Sequence, residues 1–231
     1  MNKFFSIFLF LIITSFIWSC KPDKLDPEQI DIGYDYYPVE EGKYCIYEIE
    51  KTEFGAATRE FSNYQLKEVI KDTLHLGGQV IHRLERFYRE SADLPWKSQP
   101  DSVWTLQKTP GQIIRGENNF RYIRLVFPIE ENIKWDGNSL NTISAEEYRM
   151  RKMDQPLTLG NQYFPKTISV LHKGDSSLIG KEYREEVFAR GVGLAYKVTE
   201  IIEYKNTGGL IGTDTTGGVL YYQKLIGYGK E

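Results

Sequence analysis

Two cysteines, Cys20 and Cys45, and three histidines, His75, His82 and His172, are the thiol and imidazole groups of this 231-residue sequence. Their small number lets the neighbours of each decide its chemistry. Cys20 stands where an uncharged apolar run, Phe4 to Trp18, gives way to charged, proline-containing sequence, a place for lipid attachment rather than catalysis. Cys45 lies inside Tyr44-Cys45-Ile46-Tyr47 with no histidine nearby in sequence to deprotonate it, and it reads as a small buried apolar residue. His75 and His82 flank Gly77-Gly78 and could meet across a hairpin as two metal ligands awaiting a third, but strand histidines beside a turn are more often exposed polar residues. Gly174-Asp175-Ser176-Ser177 has the composition of a lipase-type nucleophile loop, yet it reads as a hairpin loop and not as the start of an α/β domain. The acidic residues Asp23, Asp26, Glu28 and Asp31 read as a solvated linker rather than a metal cluster. No Gly-x-Ser-x-Gly, His-Glu-x-x-His, P-loop or Cys-x-x-Cys occurs, so the sequence assigns no catalytic, metal or cofactor residue and argues against an enzyme without excluding one.

The elements around Cys20 are those of an export signal. Lys3 supplies the positive start, Phe4 to Ile13 the apolar body, and Ile17-Trp18-Ser19-Cys20 the cleavage point. A membrane-spanning helix needs roughly 20 apolar residues to cross about 30 Å of hydrocarbon, and this run is shorter. The Ile-x-Ser-Cys ending resembles the bacterial lipobox, in which the cysteine sulfur takes a diacylglyceryl group before cleavage and the new amino terminus is then acylated. At about 0.8 kcal/mol per buried methylene, two or more chains hold a protein firmly to its membrane. Lys21 after the cysteine implies, by the same resemblance, delivery to the outer membrane, with either leaflet face open.

These segments divide the chain into a signal peptide at 1–19, a flexible tether at 20–33 and a single antiparallel β domain at 34–231. The tether mixes prolines with alternating charge and has no helical or strand period. Beyond it, 14% aromatic residues with sixteen tyrosines suit pleated strands. Alternation and turn residues predict strands over Tyr44–Thr52, Phe61–Leu76, Gln79–Glu90, Ser102–Lys108, Gln112–Arg115, Phe120–Ile129, Phe164–His172, Leu178–Ala189, Leu194–Tyr204 and Val219–Tyr228. Gly77-Gly78 marks the clearest hairpin, and the loops are placed at Lys173–Ser177 and Asn206–Gly218. Ser144-Ala145-Glu146-Glu147 matches a capping box and predicts a helix running toward Met153, with an edge strand over Tyr148–Arg151 as the alternative. The fold class is mainly β: one curved antiparallel sheet, as a half-barrel, barrel or sandwich, with at most one or two short helices.

Tyr36-Tyr37-Pro38-Val39-Glu40-Glu41-Gly42-Lys43-Tyr44-Cys45-Ile46-Tyr47-Glu48 resembles the opening of a group of uncharacterised Gram-negative envelope lipoproteins, in which position 45 is usually tryptophan. Phe127-Pro128-Ile129 with Lys134-Trp135-Asp136-Gly137-Asn138, and Gly191-Val192-Gly193-Leu194-Ala195-Tyr196-Lys197, extend the resemblance over most of the mature chain. It implies a curved-sheet envelope lipoprotein and carries no catalytic assignment. The net charge of −3, without a basic block, gives no footing for nucleic acid. The expected partners are therefore the membrane, through the lipid on Cys20, and a lipid, glycan or envelope protein on an aromatic-lined face. The expected role is non-enzymatic binding or assembly, with an accessory subunit of an envelope complex, and after it a hydrolase with an unrecognised site, as the alternatives and the oligomeric state left open.

Overall fold

Tyr47, Ile49, Leu66 and Leu84 are all buried, and each sits on the inward register of a strand whose adjacent positions are more exposed. That period of two is what rolls the strands around one core. The computed structural model describes residues 31–207 and 210–231, with side chains at 206–213 excepted. The signal peptide, Cys20 and the tether as far as residue 30 lie outside the described residues.

Twelve antiparallel strands form one sheet in the order β6-β5-β4-β3-β2-β1-β12-β11-β10-β9-β8-β7. They are β1 (Lys43–Phe54), β2 (Arg59–Leu76), β3 (Gln79–Arg89), β4 (Ser102–Lys108), β5 (Gln112–Glu117), β6 (Phe120–Val126), β7 (Lys134–Asp136), β8 (Glu147–Leu159), β9 (Gln162–Ser176), β10 (Gly180–Ala189), β11 (Gly193–Thr207) and β12 (Leu210–Lys230). Every neighbour is next in sequence except β1 and β12, which pair from Lys43↔Lys230 to Phe54↔Gly218. The first and last strands therefore join in the middle of the sheet, and β6 and β7 are left as its edges.

Those edges meet. Ile123 N donates to Gly137 O at 3.0 Å, and the Trp135 indole N–H donates to Ile123 O at 2.9 Å, so the sheet is nearly closed into a barrel. Gly137 has to be glycine here, since a Cβ would come within 2.3 Å of the Tyr148 ring. Trp135, part of the resemblance motif, is the side chain that bridges the seam.

Ten of the strands follow the sequence reading, and the Gly77–Gly78 hairpin has both glycines at positive φ. The predicted helix from Ser144 does not form. Tyr148 and Met150 alternate inward with Arg149 and Arg151, and the segment is the strand β8, paired on one side with β7 and on the other with β9. The cap is also lost: Asp136 Oδ1 takes the Glu146 amide at 2.9 Å, and Asn138 Nδ2 donates to the Ser144 carbonyl at 2.8 Å. Pro156 sits in β8 where the register with β9 slips, a position that costs no ladder bond. The other helix allowed by the sequence is one 3-10 turn, Tyr34–Tyr36. Two further corrections concern loops: Lys173 to Ser176 continue β9 and pair with β10, and Leu210 to Gly218 belong to β12. The folded unit begins at Ile32, two residues inside the expected tether.

The outer wall is charged. Glu50 pairs with Lys224 at 2.7 Å, and Lys181 pairs with Glu200, where a membrane-spanning barrel would present an apolar band. Among the described residues no helix is long and apolar enough to cross a membrane.

A candidate cavity at the strapped end

Residues 32–42 cross one end of the barrel as a strap before β1 begins. Gly33, at φ 80°, starts the 3-10 turn with its Cβ position only 2.4 Å from Ile129, so no other residue fits. Ile32 O accepts from Ile129 N at 3.1 Å on one rim, and Asp35 O accepts from Gly191 N at 2.7 Å on the other. Between these ties Tyr36 and Tyr37 turn inward. The Tyr36 hydroxyl donates to Asp154 at 2.5 Å, and the Tyr37 ring packs 5.7 Å from Phe188. Pro38 lies in the strap, five residues before β1.

Beneath the strap is a cavity of about 300 Å³. Tyr37, Tyr47, Ile70, Leu84, Leu106 and Leu194 make its apolar wall, and Lys43 and Lys230 stand at its mouth. Glu40 pairs with both lysines, at 3.7 and 3.2 Å, and their positive charge holds its carboxyl below the usual range. Cys45 also lines the cavity, with Sγ 3.9 Å from Val192 O, and burial pushes its thiol up to about 12. The thiol therefore stays protonated at neutral pH and offers no nucleophile. The apolar reading of Cys45 holds, in a lining rather than in the solid core.

On the side of the cavity away from the strap the barrel is filled by ions. Glu68 accepts from Arg86 Nε at 2.9 Å and from Arg115 at 2.5 Å. Glu117 pairs with Arg115 and Arg124, and Glu186 pairs with Arg124 and with Lys197 at 3.1 Å. Trp104 lies under Arg86 and Arg115, with guanidinium carbons 3.5 and 4.5 Å from its ring centroid. Burial opposes ionisation of Glu117 and Glu186, but the adjacent cations outweigh it, holding Glu117 at about 2 and Glu186 lower still. A second cavity, of about 240 Å³, opens among Arg124, Glu117, Glu186, Lys197, His172 and Tyr148 at the far end.

The sequence candidates scatter. His172 points inward and stacks on Tyr148 at 3.9 Å, and burial lowers it to about 3 against the pull of Glu186. It is neutral and buried, whereas Ser176, four residues on, is an exposed strand residue paired with Lys181, so the lipase-like reading has no base. His75 and His82 lie on one face of the β2–β3 hairpin, with His82 Nδ1 taken by the Thr73 hydroxyl at 3.0 Å. Among the described residues no three metal-ligating side chains gather. Cys20 lies outside the described residues. The residues that build the cavity, Tyr37, Lys43 and Lys230 above all, were not singled out from sequence as site residues; only the Tyr36-Tyr37-Pro38 motif pointed to the place.

No known family profile matches the chain, and no curated protein matches it. Among solved structures it is similar to one described as an exported protein with a YmcC-like fold from Bacteroides fragilis, at a TM-score of 0.40 and 10% identity over 84% of this chain and 98% of that one. It is also similar to one described as a lipoprotein from Parabacteroides distasonis, at a TM-score of 0.35 and 12% identity over the same shares. Likeness of this degree carries no functional assignment.

Proposed function

We propose that the chain is an exported lipoprotein, acylated at Cys20 and held in the cell envelope at the outer membrane, whose barrel binds the apolar part of an amphiphile beneath the strap. The observation that carries the binding role is the cavity itself: about 300 Å³, walled by tyrosine and aliphatic side chains, with two lysines at its mouth. Of the lipid, glycan and protein partners open to the sequence, that lining fits a lipid-like chain with its polar group near Lys43 and Lys230. The electrostatics support binding over catalysis. Glu117 and Glu186 are held ionised by their cations and His172 is held neutral, so none of these three is poised to exchange a proton near pH 7.

A dodecanoic acid carrying a photoreactive diazirine at its tail tests this on the acylated full chain in vesicles. Illumination followed by peptide mapping should place the adduct on the strap and on β1, β4 or β11, around Tyr37, Cys45, Leu106 and Leu194. Cys45→Trp fills the cavity from β1 and should remove the adduct while leaving the circular dichroism unchanged. Adducts confined to the outer wall, or undiminished in Cys45→Trp, would sink the reading. The mass of the amino-terminal peptide checks the anchor independently, since an unmodified Cys20 removes it.

A further inference from the structure

The β2–β3 hairpin runs past the rim of the barrel. At the rim Gly42 N donates to Ile70 O at 2.7 Å, and β4 pairs with β3 no further than His82↔Leu106. β2 continues six residues beyond Ile70 to Leu76 before the turn at Gly77–Gly78. His82 faces Thr73, so only Leu74–Leu76 and Gln79–Ile81 lie beyond both flanking strands, an overhang of about 10 Å at about 3.3 Å per residue. Beyond the rim it is a two-stranded ribbon, which has little stability in water without something against it.

The chemistry of the tip is unusual for a ribbon standing in solvent. From Leu74 to His82 there is no Asp, Glu, Lys or Arg, and Leu74, Leu76 and Val80 are exposed. Charge resumes at the base, with Lys71 and with Arg83, which pairs with Asp72 at 3.0 Å. An apolar end with cations set back from it is the arrangement of a segment that enters the interfacial layer of a bilayer, with the bases left at headgroup level. Tyr163 and Tyr228, amphipathic and exposed, lie at the same end of the barrel.

The covalent path says which bilayer. Ile32 is tied to Ile129 at this rim, so the chain leading back to Cys20 leaves the barrel at the end from which the hairpin projects. Twelve residues from Cys20 to Ile32 reach at most about 40 Å, more than the overhang, so the tip can touch the anchoring membrane before the tether is taut. We propose that the Leu74–His82 tip seats in the lipid surface that holds Cys20 and turns the mouth of the strapped cavity toward that surface. This rests on the anchored reading above and adds an orientation to it: an amphiphile would enter from the membrane, not from solution.

The acylated full chain in vesicles of phosphatidylethanolamine and phosphatidylglycerol, with an environment-sensitive fluorophore attached through Leu76→Cys in a Cys45→Ala background, tests the proposal. The same label through Phe61→Cys, exposed at the opposite end, is the control. A blue-shifted Leu76 label quenched at least twofold by lipid-borne bromine, beside an unaffected Phe61 label, is the expected result. Leu74→Asp should return the Leu76 label to its aqueous emission. Two labels that behave alike on a chain whose amino-terminal mass shows the acyl groups would overturn the orientation and leave the anchor standing. An unacylated terminus overturns both, and the photoreactive adduct reports the cavity separately from either.

Discussion

His172 is a titratable ring held out of water, with its plane 5° from that of Tyr148. Burial lowers it from 6.5 to about 3, so between those values the unfolded chain holds a proton that the folded one does not. Stability contributed by the neutral ring is complete above about pH 6.5 and is lost as the pH falls toward 3, by up to about 1.4 kcal/mol per pH unit. Glu117 adds its own loss later: its folded value of about 2 lies below its ordinary 4.5, so its contribution is present above 4.5 and disappears between there and 2. Of these two groups, His172 alone contributes to the loss above pH 4.5. Urea midpoints should decline from pH 6.5 to 5 in the native chain, and His172→Gln should flatten that interval while leaving the steeper loss below pH 4.5. An equal slope in the variant between pH 6.5 and 5 would place the proton elsewhere.

At the scale of elements, the strap is an irregular segment doing what a closing strand would do. Tyr37 is buried against Phe188 and roofs the cavity, so Tyr37→Ala removes both packing and lid. A loss of about 3 kcal/mol in urea unfolding is expected, with the photoreactive adduct weakened or lost. A change under about 1 kcal/mol would mean that the strap lies on the barrel without contributing to it. Beyond the Tyr36-Tyr37-Pro38 motif this was not legible in the sequence, because the strap has no period and its ties, to Ile129 and Gly191, are distant along the chain. The strands were legible where a turn residue fixed their ends. Ser102–Lys108 is bounded as read, and Gly77–Gly78 turns as its composition demands. β7 was missed because three residues are too short for alternation to show, and without it Ser144 and Glu147 looked like a cap. β8 then depends on partners that the local sequence does not contain.

At the scale of the whole molecule, the barrel is unusual in what it encloses. Glu68, Arg86, Arg115, Glu117, Arg124, Glu186 and Lys197 carry no role in the sequence reading. The strand period places Glu68, Arg86 and Arg115 inside, two residues on from Leu66, Leu84 and Ile113; only closure of the sheet shows that the interior charges meet. The aromatic excess was read correctly as strand chemistry but not as a stacking surface for guanidinium groups, which Trp104 is. Closing such charges away from water is costly, and each is tolerable only while its counter-ion remains. Glu68 is the sharpest case, because its one Oε1 receives both Arg86 and Arg115. Glu68→Gln leaves two buried guanidinium groups without that charge and should cost about 3–5 kcal/mol in urea unfolding. The cost should hold from low to high salt, since counter-ions do not reach the site. Glu53→Gln breaks the exposed pair with Lys51 and should change stability by under about 1 kcal/mol, less still in salt. If the two substitutions cost the same, or if added salt rescues Glu68→Gln, the interior ions are solvated in the working protein and the barrel is more open than its seam implies.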